Sequence, residues 1–205
     1  MHEVLIIANG PYNDSIVHSL APNKTIIALD GAANNLLNIT PHYILGDFDS
    51  INPSIKNKYE KLNVLFILAE DQNYTDLEKA ILFSKKNGAT HISICCADGG
   101  TRSDHSLATL AFLKKYYSKE CEITLHTECE LIQFLQNETF SFSGQIGDPC
   151  AFFGWPSAVV TTTGLLWNVN AWKTEIGLNA SICNELKEPV VSLYVEGNLL
   201  LITKR

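Results

Sequence analysis

Short apolar runs, each ended by glycine or polar residues, recur through the first part of the chain. They are "EVLIIANG" (3–10), "KTIIALDG" (24–31), "HYILGDFDS" (42–50), "NVLFILAE" (63–70), "HISICCA" (91–97) and "CEITLHT" (121–127). Runs of this length with such boundaries predict six strands. Between them, "AANNLLN" has helical character. "TDLEKAILFSKKNGA" (75–89) and "SDHSLATLAFLKKYY" (103–117) carry a clear helical period, the first with a glycine stop. Apolar strands interleaved with helices imply an α/β unit, a mostly parallel sheet with helices on both faces.

The pattern changes near residue 128. No long helical period follows. "LIQFLQN", "ETFSFSG", "PCAFFGWP", "SAVVTTTGLLW" and "EPVVSLYVEGNLLLI" are strand-like stretches broken by Gly and Pro. They predict a small C-terminal antiparallel β-sandwich or barrel, with Gly197-Asn198 at the turn of a closing hairpin. The expected domains are 1–128 and 129–205. The second is small for independent stability and is expected to lean on the first or on another subunit.

Composition narrows the function classes. The 205 residues are 46% hydrophobic and 18% charged, which suits a packed core rather than disorder. The formal net charge is −7, and the basic pairs are confined to Lys85-Lys86, Lys114-Lys115 and Lys204-Arg205. That argues against nucleic acid, which needs a basic face. A cationic substrate or a divalent metal fits better. The six cysteines, at 95, 96, 121, 129, 150 and 183, form no C-x-x-C pair, so reduced thiols and a cytoplasmic protein are expected. "VLIIA" is too short for a signal segment, and no stretch reaches membrane-spanning length.

Ligand sites in open parallel sheets lie at the carboxyl ends of strands. Asp30, the pair Asp47 and Asp49, the group Glu70-Asp71-Gln72, and Asp98 with Gly99-Gly100, Arg102 and Asp104 all fall there. Each has a plain structural role open to it. Asp47 and Asp49 are also turn formers. Asp76 lies in a capping box, with Thr75 as N-cap and Glu78 at the third helical position, and Asp104 follows an expected Ser103 cap. Gathered on one sheet edge, so many acids call for a hard cation such as Mg²⁺. On an extended chain Asp47 and Asp49 would point to the same side, about 7 Å apart. The scattered histidines show no zinc spacing, and neither a Walker loop nor a dinucleotide fingerprint is present.

"DGAAN" (30–34), "GDFDS" (46–50), "DQNYTDLEKA" (71–80), "GGTRSDHSL" (99–107), "TTTGLLWNV" (161–169) and "EGNLLLI" (196–202) occur in this order. In these motifs the chain resembles the thiamine pyrophosphokinase (thiamine diphosphokinase) family over nearly its whole length. It departs from the family pattern at Ala32, His42, Thr109 and Cys183. The resemblance implies an α/β catalytic domain that binds ATP and Mg²⁺, and a β-sandwich for thiamine binding and dimerisation. It implies a transferase that passes pyrophosphate from ATP to the thiamine hydroxyl, giving AMP and thiamine diphosphate. Asp47, Asp49 and Asp76 would hold Mg²⁺ against the triphosphate. Arg102 would neutralise phosphate charge. Asp104 would either hold a second metal or orient the hydroxyl. Asp30 would contact the nucleotide or the metal shell, and Gln72 the substrate or phosphates. Trp167 would stack on thiamine, whose thiazolium cation suits an indole face, with Thr163 and Asn184 as further pocket candidates. The family implies a homodimer with shared active sites. The alternatives are a pyrophosphokinase on another alcohol, an aspartyl-type phosphatase, and a non-catalytic thiamine- or nucleotide-binding regulator.

Overall fold

The computed structural model describes residues 2–205, and the chain divides after Glu128 into two compact units. In the first, the strands are β1 (Glu3–Ile7), β2 (Thr25–Leu29), β3 (Tyr43–Gly46), β4 (Leu65–Leu68), β5 (His91–Cys95) and β6 (Glu122–His126). Their order across the sheet is β6-β5-β1-β2-β3-β4, and every pairing is parallel. Val4 to Ile7 of β1 are wholly buried, so this central strand is covered on both faces. The chain runs outward from β1 through β2, β3 and β4, then returns to the other side of β1 with β5. The carboxyl end between β1 and β5 is therefore the topological switch point.

The helices are α1 (Asp14–Leu20), α2 (Pro53–Lys61), α3 (Asp76–Lys86) and α4 (Ser103–Tyr116), and Ala32–Asn35 makes one 3₁₀ turn. The capping box at Thr75 forms as the spacing predicts: Glu78 N donates to Thr75 Oγ1 and Thr75 N to Glu78 Oε2. The expected Ser103 cap does not form. Arg102 N–H closes a turn on Gly99 O at 2.8 Å, so Arg102 takes the cap position and Ser103 begins the helix. Gly99 permits this with φ 74°. A Cβ there would come within 2.5 Å of Arg102 O.

The second unit is antiparallel throughout, but the broken apolar runs merge into three long strands, and two short strands lie where no run was read. β7 (Glu130–Ser143), β8 (Pro149–Thr163) and β11 (Val190–Lys204) are long, while β9 (Trp172–Glu175) and β10 (Ser181–Glu185) are short. The order is β10-β8-β11-β7, with β9 also on β8. Gly197-Asn198 is not a hairpin turn. It is a bulge inside β11, where the register slips against both neighbours. Gly197, at φ 95°, donates its N–H to Asn137 Oδ1 at 2.8 Å. Bulges bend a strand and keep it paired, which is why a turn-like Gly-Asn lies in mid-strand. Phe152, Val160, Leu165, Leu193, Leu199 and Leu201 are central to the core of this unit.

Candidate active site

Neighbouring strands β2 and β3 deliver the first acids. Asp30 follows β2, and its N–H pairs with Leu45 O of β3 at 3.0 Å. This brings its carboxyl against Gly46, where a Cβ would lie 2.8 Å from Asp30 Cγ; only glycine leaves room. Asp47 and Asp49 follow at once. They are not on an extended chain. Phe48 between them is left-handed at φ 67°, a conformation uncommon for a bulky residue. Its ring turns away to pack edge-on against Phe66 at 5.5 Å, with Lys56 Nζ over it at 5.2 Å. The turn brings one carboxylate oxygen each from Asp30, Asp47 and Asp49 within 4.8 Å of one another. A cluster of hard oxygen donors at this spacing fits a small divalent cation such as Mg²⁺.

The three carboxylates differ in environment. Asp30 is only 4% exposed. Burial pushes its pKa up, against the Gly31 and Ser50 N–H groups that hold it down, and the charges of Asp76 and Asp47 push it further. Asp47 is held below the ordinary carboxylate range, first by the Asp49 N–H and then by Gln72 and Lys79. Gln72 Nε2 reaches Asp47 Oδ2 at 3.4 Å, and Ser50 Oγ donates to Asp49 Oδ1 at 2.7 Å.

Asp76, expected among the metal ligands, stands outside this triple. It opens α3 and is engaged by Lys79 Nζ at 3.0 Å, which also donates to Ala69 O at 2.8 Å. Asp30, expected to contact the nucleotide or the metal shell, takes the third place. Lys79 was not singled out from the sequence. The (i, i+3) spacing from Asp76 is the signal that would have found it.

At the end of β5, Arg102 and Asp104 form a bidentate pair, Nε to Oδ1 at 2.9 Å and Nη2 to Oδ2 at 2.6 Å. Both side chains are exposed. The guanidinium holds the Asp104 carboxyl well below its usual range. At the switch point between β1 and β5 lies a cavity of about 130 Å³, lined in part by Tyr12, Asn13, Cys96 and Asp98.

In the second unit Trp167 is 60% exposed. Trp155 and Trp172 pack edge-on against Phe134 at 6.0 Å and Phe152 at 6.1 Å. Thr163 is exposed at the end of β8, whereas Asn184 is buried.

Residues 17–125 match the family model described as the thiamin pyrophosphokinase catalytic domain, and residues 135–200 match that of the thiamin pyrophosphokinase vitamin B1 binding domain. The chain belongs to the thiamin pyrophosphokinase family. It is 30% identical over 174 residues to thiamine pyrophosphokinase 1 of Oryza sativa subsp. japonica and 33% identical over 172 residues to thiamine pyrophosphokinase 1 of Arabidopsis thaliana. Each match covers 78% of this chain and 64% of the plant protein. The chain thus spans a little under two thirds of the length of these plant members. A crystal structure of thiamine pyrophosphokinase from Bacillus subtilis shares the fold, with a TM-score of 0.87 at 24% identity and 98% of each chain covered. The α/β unit with a parallel sheet and the antiparallel C-terminal strands are therefore the fold of this thiamin pyrophosphokinase family member.

Proposed function

We propose that the chain is a thiamine diphosphokinase, transferring pyrophosphate from ATP to the hydroxyl of thiamine and releasing AMP. The observation that carries this reading is the cluster of Asp30, Asp47 and Asp49, in a chain whose two units match the catalytic and vitamin B1 binding models of one family. Pyrophosphoryl transfer needs positioning and charge neutralisation more than covalent help. Asp30, Asp47 and Asp49 hold Mg²⁺, which when bound neutralises triphosphate oxygens. Asp76 keeps Lys79 at the edge of that cluster, with the lysine charge turned to the phosphates. Gln72 orients Asp47 and reaches the phosphates beside it. The Arg102 fork, shared with Asp104 in the free protein, opens toward phosphate, where a planar guanidinium binds bidentately. Asp104, released from it, is free to orient the attacking hydroxyl. The cavity at the switch point receives the nucleoside end of ATP. Trp167 stacks on thiamine, with Thr163 at its side.

In this reading the protein works in the cytoplasm as a homodimer whose active sites draw on both subunits. None of its six cysteines is in a disulfide, as a reducing compartment requires. Exposed apolar side chains of the second unit, among them Ile146, Leu178 and Ile182, suit a subunit interface. Among the described residues no helix is long and apolar enough to cross a membrane.

A panel of alcohols incubated with ATP and Mg²⁺, read out as AMP, tests the substrate. Thiamine should give AMP far above every other alcohol. A better response to another alcohol would leave a pyrophosphokinase of different specificity, and release of phosphate without AMP would favour a phosphatase.

A further inference from the structure

Asn184 is 3% exposed in the second unit, and its carboxamide is fully spent. Its Oδ1 accepts from Trp167 N at 3.1 Å and from Glu185 N at 3.0 Å. Its Nδ2 donates to Trp167 O at 2.9 Å and, at the limit of reach, to Ser181 Oγ at 3.4 Å. A carboxamide has two acceptor sites and two donor hydrogens. All four are used inside the protein, and two of the four bonds grip the backbone of one residue. Asn184 thus treats Trp167 as a paired strand would, although Trp167 lies in a loop.

The loop is strapped around the same point. Leu166 N donates to Glu185 O at 2.9 Å, and Leu165 bridges Leu186. Asn168 Oδ1 accepts from Leu165 N at 3.1 Å, and Val169 N donates to Thr162 Oγ1 at 3.0 Å. The backbone from 165 to 169 is held while the Trp167 indole stands exposed. A large apolar ring on a fixed backbone is arranged to meet something flat at low entropic cost. The inward aim of Asn184 has a local cause. Cys183, at φ 60°, is left-handed, and the β10 register against β8 shifts between Ser181 and Asn184. Such an irregularity re-aims the next side chain.

We infer that Asn184 is a positioning residue: it presents the Trp167 ring to thiamine and does not itself touch the ligand. The inference rests on the reading of Trp167 as the thiamine platform. It replaces the expectation that Asn184 lines the pocket. Removing the carboxamide leaves the Trp167 N–H and carbonyl without partners and lets the loop relax. The loss of thiamine affinity that follows passes through Trp167 alone.

The test is a double-mutant cycle on thiamine affinity, measured by titration calorimetry without ATP on the full chain. Asn184→Ala should weaken thiamine binding by roughly tenfold, the worth of one or two hydrogen bonds. In a Trp167→Ala background the same change should weaken it no further. Should Asn184→Ala fail to fold, Asn184→Asp keeps the two accepted bonds and loses donation to the Trp167 carbonyl. The buried carboxylate then faces the Trp167 carbonyl, so the loss should be at least as large as in the alanine variant, and again absent without Trp167. Additive losses would overturn the inference in favour of direct contact, and so would an unchanged affinity in both variants. If the wild type binds thiamine and makes no AMP, the catalytic reading falls while a non-additive cycle still upholds the positioning role. If the wild type does not bind thiamine, both fall.

Discussion

Asp30 carries an electrostatic cost, because it is nearly buried and faces two like charges. Its folded pKa lies above the ordinary carboxylate value. Its contribution to stability is therefore full below about pH 4 and is lost as the pH rises through the raised value. At neutral pH, without metal, the ionised group is a net cost. Asp30→Asn should then raise the thermal midpoint of the metal-free protein at pH 7 and give no gain below pH 4. Mg²⁺ should raise the midpoint of the wild type and leave Asp30→Asn unmoved. A metal-free variant less stable than wild type at pH 7 would count against the crowding argument. Asp47 behaves oppositely: the Asp49 N–H keeps it ionised at neutral pH. Asp47→Asn should cut kcat by about a hundredfold or more, as loss of one charge-stabilising group does elsewhere. Steady-state kinetics at saturating Mg²⁺ would show it, and a normal kcat would remove Asp47 from the metal site.

At the scale of elements, α3 and α4 are joined by one buried acid. Glu78 closes the capping box and accepts from Lys115 Nζ and Tyr116 Oη of α4, both at 2.8 Å. Burial pushes the Glu78 pKa up, but Lys115, Tyr116 and the Thr75 N–H outweigh it, and the net shift is downward. Its stabilisation is present above the unfolded value, about 4.3, and is lost as the pH falls through the lower folded value. Glu78→Gln should cost roughly 2 kcal/mol in denaturant unfolding at pH 7, a difference that shrinks below pH 4. A gap independent of pH would show that the carboxylate charge is not what joins the helices.

The legibility of the elements follows their packing. The six strands of the sheet and α3 and α4 were visible because each presents an apolar run or stripe. The helix α2 was not, because Tyr59 is the only residue it buries and, apart from Pro53 and Ile55, the rest of "PSIKNKYEK" is polar. Asn52-Pro53 was its one signal. The short α1 is tied by its Asn13 cap rather than by a period. Long bulged strands such as β11 looked like separate pieces, since Gly197 interrupts the alternation without ending the pairing. At the site, residue types and strand-end positions were legible. The distances were not, because the left-handed turn at Phe48, not strand rise, sets how close Asp47 and Asp49 stand.

At the scale of the molecule, the proposed function calls for a homodimer and a two-substrate transfer. Sedimentation should find a species of twice the 22.7 kDa chain, and specific activity should fall on dilution as it dissociates. A fully active monomer would remove the shared-site proposal. Pyrophosphoryl transfer differs from phosphoryl transfer in which bond of ATP is broken. The direct measurement uses ATP labelled at the β-phosphorus, with Mg²⁺ and thiamine, and follows where the label goes. Pyrophosphoryl transfer predicts labelled thiamine diphosphate and unlabelled AMP in equal amounts. Label retained in ADP, with thiamine monophosphate as the other product, would contradict it.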